Sequence, residues 1–121
     1  MLTYSRSRRV FAYSAPCDMR KQYDSLAVLV ARDMGKDLLQ GDLYLFVGRR
    51  RKRAKVLYFD GTGLCLFAKR LERGHFAAPW EGRPELTQSE LGLLLEGAEM
   101  VGRIALSPPA VSPRDRRVVF R

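Results

Sequence analysis

The run Leu43-Tyr44-Leu45-Phe46-Val47-Gly48-Arg49-Arg50-Arg51-Lys52-Arg53-Ala54-Lys55-Val56-Leu57-Tyr58-Phe59-Asp60-Gly61-Thr62-Gly63-Leu64-Cys65-Leu66-Phe67-Ala68-Lys69-Arg70 decides the fold. Leu43, Leu45 and Val47 alternate with Tyr44 and Phe46, and Ala54, Val56 and Tyr58 alternate with Lys55, Leu57 and Phe59. A third apolar run extends from Leu64 to Arg70. A period of two belongs to strands, whose successive side chains leave the pleated backbone on opposite faces. The first run is apolar on both faces, as a central strand covered from both sides must be. Gly48 through Lys52 supplies a turn. Asp60-Gly61-Thr62-Gly63 supplies a hairpin connection, since Asp-Gly tolerates positive φ and Gly63 permits a bulged closure. Connections this short join only antiparallel neighbours, so residues 43–70 read as a three-strand meander.

Upstream, Val10 to Tyr13 is a short apolar run closed by Ser14-Ala15-Pro16, an opening strand followed by a turn. From Asp18 the period changes: Met19, Tyr23, Leu26, Val30 and Met34 recur at steps of three and four. That spacing predicts a long amphipathic helix over 19–34, with Asp18 as its cap and Gly35 as its stop. Downstream, His75-Phe76-Ala77-Ala78-Pro79-Trp80 reads as a short edge segment. Thr87 followed by Glu90 is a capping box, and Leu86 can staple against Leu91, so a short second helix is expected over 88–96, ended by Gly97. Beyond Gly102, Pro108, Pro109 and Pro113 are interleaved with arginines, which predicts a basic, flexible tail over 102–121 behind a single domain over 1–101. The expected class is α+β: a small antiparallel sheet, made of the meander and an N-terminal strand, packed with one long and one short helix.

The 121 residues suffice for one domain with a modest core, and 46% of them are apolar. Twenty-two Lys and Arg against 13 Asp and Glu leave a formal charge of +9. A positive field this concentrated attracts polyanions, nucleic acid first and an acidic protein second. No apolar run reaches the roughly 18 residues of a membrane span, and the start carries no long apolar signal core, so the expected address is the cytoplasm with no membrane partner. Cys17 and Cys65 have neither zinc-site spacing nor a disulfide framework and read as small buried hydrophobes.

The sharpest electrostatic feature is Arg49-Arg50-Arg51-Lys52-Arg53 with Lys55, six cations within seven positions. Confined to a turn, they repel one another, and opposing phosphates would offset that repulsion through paired hydrogen bonds to the guanidinium forks. Lys69, Arg70 and Arg73 extend the patch if the sheet brings them beside the turn. A merely solubilising turn is the plain alternative. Arg6, Arg8 and Arg9 form a second basic group. Tyr44, Phe46, Tyr58, Phe59 and Phe67 are better read as core than as a base-stacking platform.

Catalytic chemistry finds little support. His75, the single histidine, has no nucleophile–acid arrangement around it. Asp18 and Asp60 have structural tasks as cap and turn residues, and no spacing among Asp18, Asp24, Asp42 and Asp60 requires convergence on a metal. Gly48 and Gly61-Thr62-Gly63 lack the order of a nucleotide-binding loop. No metal, cofactor or catalytic residue is expected.

Three segments carry a resemblance: Pro16-Cys17-Asp18-Met19-Arg20-Lys21, the strand entry Asp42 to Arg50, and the block Lys55 to Gly74 with its Asp-Gly-x-Gly hairpin. Together, over about residues 8–101, they resemble the TnpB-type accessory protein, the second reading frame product, of the bacterial insertion sequence sixty-six family. The late run Leu91 to Gly97 is similar to that family's last helix. The resemblance implies a small, non-catalytic factor needed for efficient transposition beside a separate, large transposase. It places signature positions at Pro16, Asp18, Met19, Arg20, Lys21, Gly48, Arg49, Lys55, Asp60, Gly61, Gly63, Lys69, Arg70 and Gly74, of which Arg20, Lys21, Arg49, Lys55, Lys69 and Arg70 are the candidates for contact with the partner. Ser25 stands where the family usually has glycine, and the tail after Gly102 departs from the family's usual ending. The expected partners are DNA, with transposon ends among the candidates, the transposase, and further copies of the chain. The competing reading is a DNA-independent adaptor that recognises protein.

Overall fold

The computed structural model describes residues 8–97, so the expected tail and Arg6 lie outside the described residues. Five strands form one sheet: β1 (Val10–Ala12), β2 (Leu43–Val47), β3 (Arg53–Phe59), β4 (Leu64–Arg70) and β5 (Glu85–Leu86), in the order β4-β3-β2-β1-β5. The meander is present, with β2 antiparallel to β3 and β3 to β4, and β2 is the central strand. The class is α+β, but the sheet is mixed. β1 pairs with β2 in parallel, Val10 opposite Leu43 and Ala12 opposite Leu45. The reason is α1 (Tyr23–Arg32), which lies between them in sequence and makes the crossover that parallel neighbours need. β5 completes the sheet antiparallel to β1.

Each face has its own core. On one, Leu26, Leu29 and Val30 of α1 cover Phe11, Tyr44, Phe46 and Leu57. On the other, α2 (Gln88–Leu95) brings Leu91, Leu94 and Leu95 against Val10, Leu43, Leu45, Val47 and Val56, with Phe76 beside them. Phe46, Tyr44 and Phe76 are fully buried, each worth about 1.5–3 kcal/mol in apolar transfer. Tyr44 and Phe46 of β2 and Tyr58 of β3 are therefore committed to the core, whereas Phe59, at the end of β3, is half-buried.

α1 is shorter than its periodicity suggests, and Asp18 is not its cap. Gln22 occupies the N-cap, and its backbone N–H donates to Ser25 Oγ at 3.0 Å. Asp18 instead closes the turn before the helix, accepting from the Arg20 backbone N–H at 2.9 Å and from its guanidinium at 2.8 and 3.0 Å. Local side-chain to backbone bonding has won over helix extension. Met19 therefore sits in this loop rather than on the helix. At the other end Gly35, at φ 64°, lets Lys36 N–H return to Val30 O. Thr87 and Glu90 form a reciprocal box at the start of α2, at 3.0 and 2.8 Å. The segment 75–80 forms no strand: Phe76 turns into the core and a short 3-10 turn runs over Pro79–Glu81.

Candidate anionic-partner interface

The β2–β3 turn, the end of β4 and the loop before α1 meet at one end of the sheet. Gly48 N–H donates to Arg53 O and Arg51 N–H to Gly48 O, which closes the turn tightly. Arg51 takes the left-handed φ of 57°, a conformation non-glycine residues adopt at a cost. Cys17 N–H donates to Val47 O at 3.0 Å, stitching the 16–21 loop alongside the turn. A concavity of about 500 Å³ lies between them, lined by Arg49 to Arg53 and Arg70 together with Met19 and Asp18. A second, of about 540 Å³, shares Met19, Arg53 and Arg70 with it and continues along β4 past Leu66 and Ala68, with Tyr23 of α1 also in its lining.

The cations sort into distinct groups. Arg49, Arg50 and Arg53 are exposed. Arg53 stands directly across from Arg70, which is also exposed and holds Glu72 only at 3.4 Å. Arg20 is 91% exposed at its side chain and paired with Asp18, whose carboxyl it holds well below the usual range. Arg51 and Lys52 are half-buried and tie the 74–76 segment to the turn: Arg51 donates to Phe76 O at 3.3 Å and Lys52 to Gly74 O at 2.8 Å. Arg73 is exposed on that segment.

Two expected contact residues line the second concavity but spend their ammonium groups on carbonyls of the protein itself. Lys55 is buried, and its ammonium donates to Lys21 O at 2.7 Å, holding the 16–21 loop to β3. Lys69 lines the second concavity, but its ammonium is turned to Leu95 O at 2.8 Å, at the C-terminal end of α2. That end carries unpaired carbonyls and negative partial charge, so a lysine serves it. Lys21, half-buried, contributes through its carbonyl. Met19 and Tyr23 line the concavities although the sequence placed both in a core stripe. Only Met19's position between Asp18 and Arg20 in the quoted motif hinted otherwise.

Asp60 organises the opposite end of β3. Its carboxylate accepts from the Thr62 and Gly63 amides, both at 2.9 Å, and these bonds lower its pKa to about 2. Burial pushes the Cys17 thiol up, away from thiolate chemistry. Among the described residues, no group of three or more His, Cys, Asp or Glu is placed to hold a metal ion. No helix among them is long and apolar enough to cross a membrane.

Comparison with known proteins bears on the whole assembly. A family described as "IS66 Orf2 like protein" matches residues 8–103. "Uncharacterized protein y4hO" of Sinorhizobium fredii is 37% identical over 101 residues, which are 82% of this chain and 88% of the relative. "Uncharacterized protein y4jC" of the same organism is 32% identical over 101 residues, 82% of this chain and 86% of the relative. No solved structure matches. The loop before α1, the arginine turn and the Asp-Gly-x-Gly hairpin all fall within the matched span, and the chain belongs to the IS66 Orf2-like protein family.

Proposed function

We propose that this protein is a non-catalytic accessory factor in insertion-sequence transposition, acting in the cytoplasm, that binds DNA at the arginine turn and assists assembly with the separate transposase. The observation that carries this reading is Arg53 facing Arg70 across two strands, with Arg49 and Arg50 exposed on the adjoining turn. Like charges placed opposite one another destabilise a sheet, and an anion between them reverses the sign of that interaction. Phosphodiester oxygens fit the guanidinium forks. Among the described residues no helix is aimed from this end as a base reader, so the contact is to backbone and its sequence preference is low. Self-association belongs to the same proposal, since a multimeric factor presents several arginine turns to one nucleic acid.

The test is fluorescence anisotropy with a labelled duplex over a series of salt concentrations. Each phosphate neutralised contributes about 0.9 to the slope of log affinity against log salt. Replacing Arg49, Arg50 and Arg53 together by Ala should weaken binding and flatten that slope by roughly 2 to 3 units. Unchanged affinity and slope would remove the DNA assignment. Capture of the transposase by the nuclease-treated triple variant, with no duplex binding by the native chain, would favour the protein adaptor.

A further inference from the structure

β4 is the outer strand of the sheet, paired with β3 on one side, and among the described residues no strand lies on the other. The ladder fixes which of its polar groups are spent. Leu71 N–H donates to Lys52 O at 2.8 Å, and Asp60 N–H to Gly63 O at 3.1 Å. Hydrogen-bonded and non-hydrogen-bonded pairs alternate in an antiparallel ladder. With Arg53 opposite Arg70 and Phe59 opposite Leu64, Cys65, Phe67 and Lys69 therefore bond to β3. Leu64, Leu66, Ala68 and Arg70 direct their N–H and C=O groups away from the sheet.

Edges of this kind are ordinarily blunted by proline, a bulge or an inward charge. Here the register runs unbroken over all seven residues of β4, and Leu64 to Ala68 carries neither proline nor charge. Beside the edge, Leu66 and Ala68 floor the concavity walled by Met19 and Tyr23, whose ring is on a residue 45% exposed.

We propose that β4 pairs antiparallel with β4 of a second copy of this chain, centred on Phe67. Leu64 then meets the partner's Arg70 and Leu66 the partner's Ala68, so all four outward-facing residues find mates within the strand. No other antiparallel register achieves that. Charge selects the same arrangement. Lys69 and Arg70 face the partner's Cys65 and Leu64, and Arg73 comes level with the hairpin that holds the partner's Asp60. A parallel arrangement would set each cation against its own copy. Residues 98–121 are the less suited occupant by charge, since their Arg103, Arg114, Arg116, Arg117 and Arg121 would have to be brought against an edge whose own end is basic.

The two-fold axis of such a contact is perpendicular to the sheet, which leaves both α1 helices on one face. The two concavities then join into one groove. The two Arg70 residues stand about 20 Å apart along the strands, six residues at roughly 3.4 Å each. The contact stands on the sheet edge alone, whether or not the arginine turn holds DNA.

Light scattering of the full chain without nucleic acid should give twice 13.8 kDa at micromolar concentration. Ala68→Pro removes an outward-facing N–H and leaves the β3 ladder intact, so it should return the mass to that of one chain with an unchanged circular dichroism spectrum. Lys69→Cys sets a thiol across from the partner's Cys65 in a non-hydrogen-bonded pair, where Cα atoms lie about 4.5 Å apart and a disulfide fits. Diamide should then give a reducible covalent dimer, lost when Cys65→Ser is added. A single-chain mass at every concentration would overturn the inference. So would a dimer that survives Ala68→Pro and yields no cross-link, or a single-chain mass with the β4 amides protected from hydrogen exchange, which would make residues 98–121 the occupant.

Discussion

Met19 seats itself on Gly48 so closely that a Cβ on Gly48 would stand 2.8 Å from its Cγ. The contact joins two segments nearly thirty positions apart, the loop before α1 and the first residue of the arginine turn. With the Cys17 to Val47 hydrogen bond, it makes them one structural unit. Glycine at 48 is required by this approach, not by its backbone angles, which lie outside the left-handed region.

Gly48→Ala should therefore displace Met19 and cost about 1–3 kcal/mol in chemical denaturation, the usual penalty for overpacking. The cost belongs to the pair, so shortening the other partner should recover much of it. In a double-mutant cycle, Gly48→Ala with Met19→Ala should lose less than the sum of the two single changes. Strict additivity would mean that the loop and turn do not share this contact.

Under the proposed function, the Arg53–Arg70 juxtaposition sets stability against DNA binding. Replacing Arg53 by Glu places an opposite charge across from Arg70 and leaves the Arg70–Glu72 pair in place, and at low salt the denaturation midpoint should rise by an amount equivalent to less than about 1 kcal/mol. The same change should weaken duplex binding. Added salt should erase the stability gain, because both groups are exposed and screened. A variant that is less stable and binds as well as the native chain would contradict this account.

Lys55 separates the structural cations from those proposed to contact DNA. It is 8% exposed and holds Lys21 O, so its loss leaves a half-buried carbonyl without its donor. Lys55→Ala should cost about 1–3 kcal/mol of stability. The salt slope of DNA binding, measured below the variant's unfolding temperature, should stay where it was. A flattened slope would return Lys55 to the interface.

The local features were legible where the chemistry is local. The bounds of β4 follow from the Asp60 to Gly63 hairpin, and the start of α2 from Thr87 and Glu90, because both signals lie within a few residues. The parallel pairing of β1 with β2 was legible in principle, since a helix between two strands makes a crossover, but only the meander's short turns declared their direction. β5 has two residues, too few for any period to register. Of the basic residues, the turn Arg49 to Arg53 and Arg70 come together around one concavity. Alternation alone puts Lys69 and Arg70 on opposite faces. That Lys69 would meet a helix end, and Lys55 a loop carbonyl, depends on where α2 and the 16–21 loop pack, and charge patterning carries no trace of it.

The Asp60 turn gives the stability a defined acid dependence. Its carboxylate accepts from Thr62 and Gly63 and, through Oδ2, from the Cys65 thiol at 3.5 Å, so the charged form is favoured in the folded chain and the pKa falls to about 2. The unfolded value is near 3.8. A carboxyl depressed on folding contributes its stability above the unfolded pKa and loses it as pH falls through the folded one. Asp60→Ala should therefore be less stable than the native chain at pH 6. The gap between their denaturation midpoints should narrow progressively between about pH 4 and pH 2. Asp60→Asn keeps a carbonyl acceptor for the turn but no titrating charge, so its own midpoint should lack this component of the acid dependence. A native-to-Asp60→Ala gap that stays constant down to pH 2 would show that the turn depends on the shape of the side chain and not on its charge.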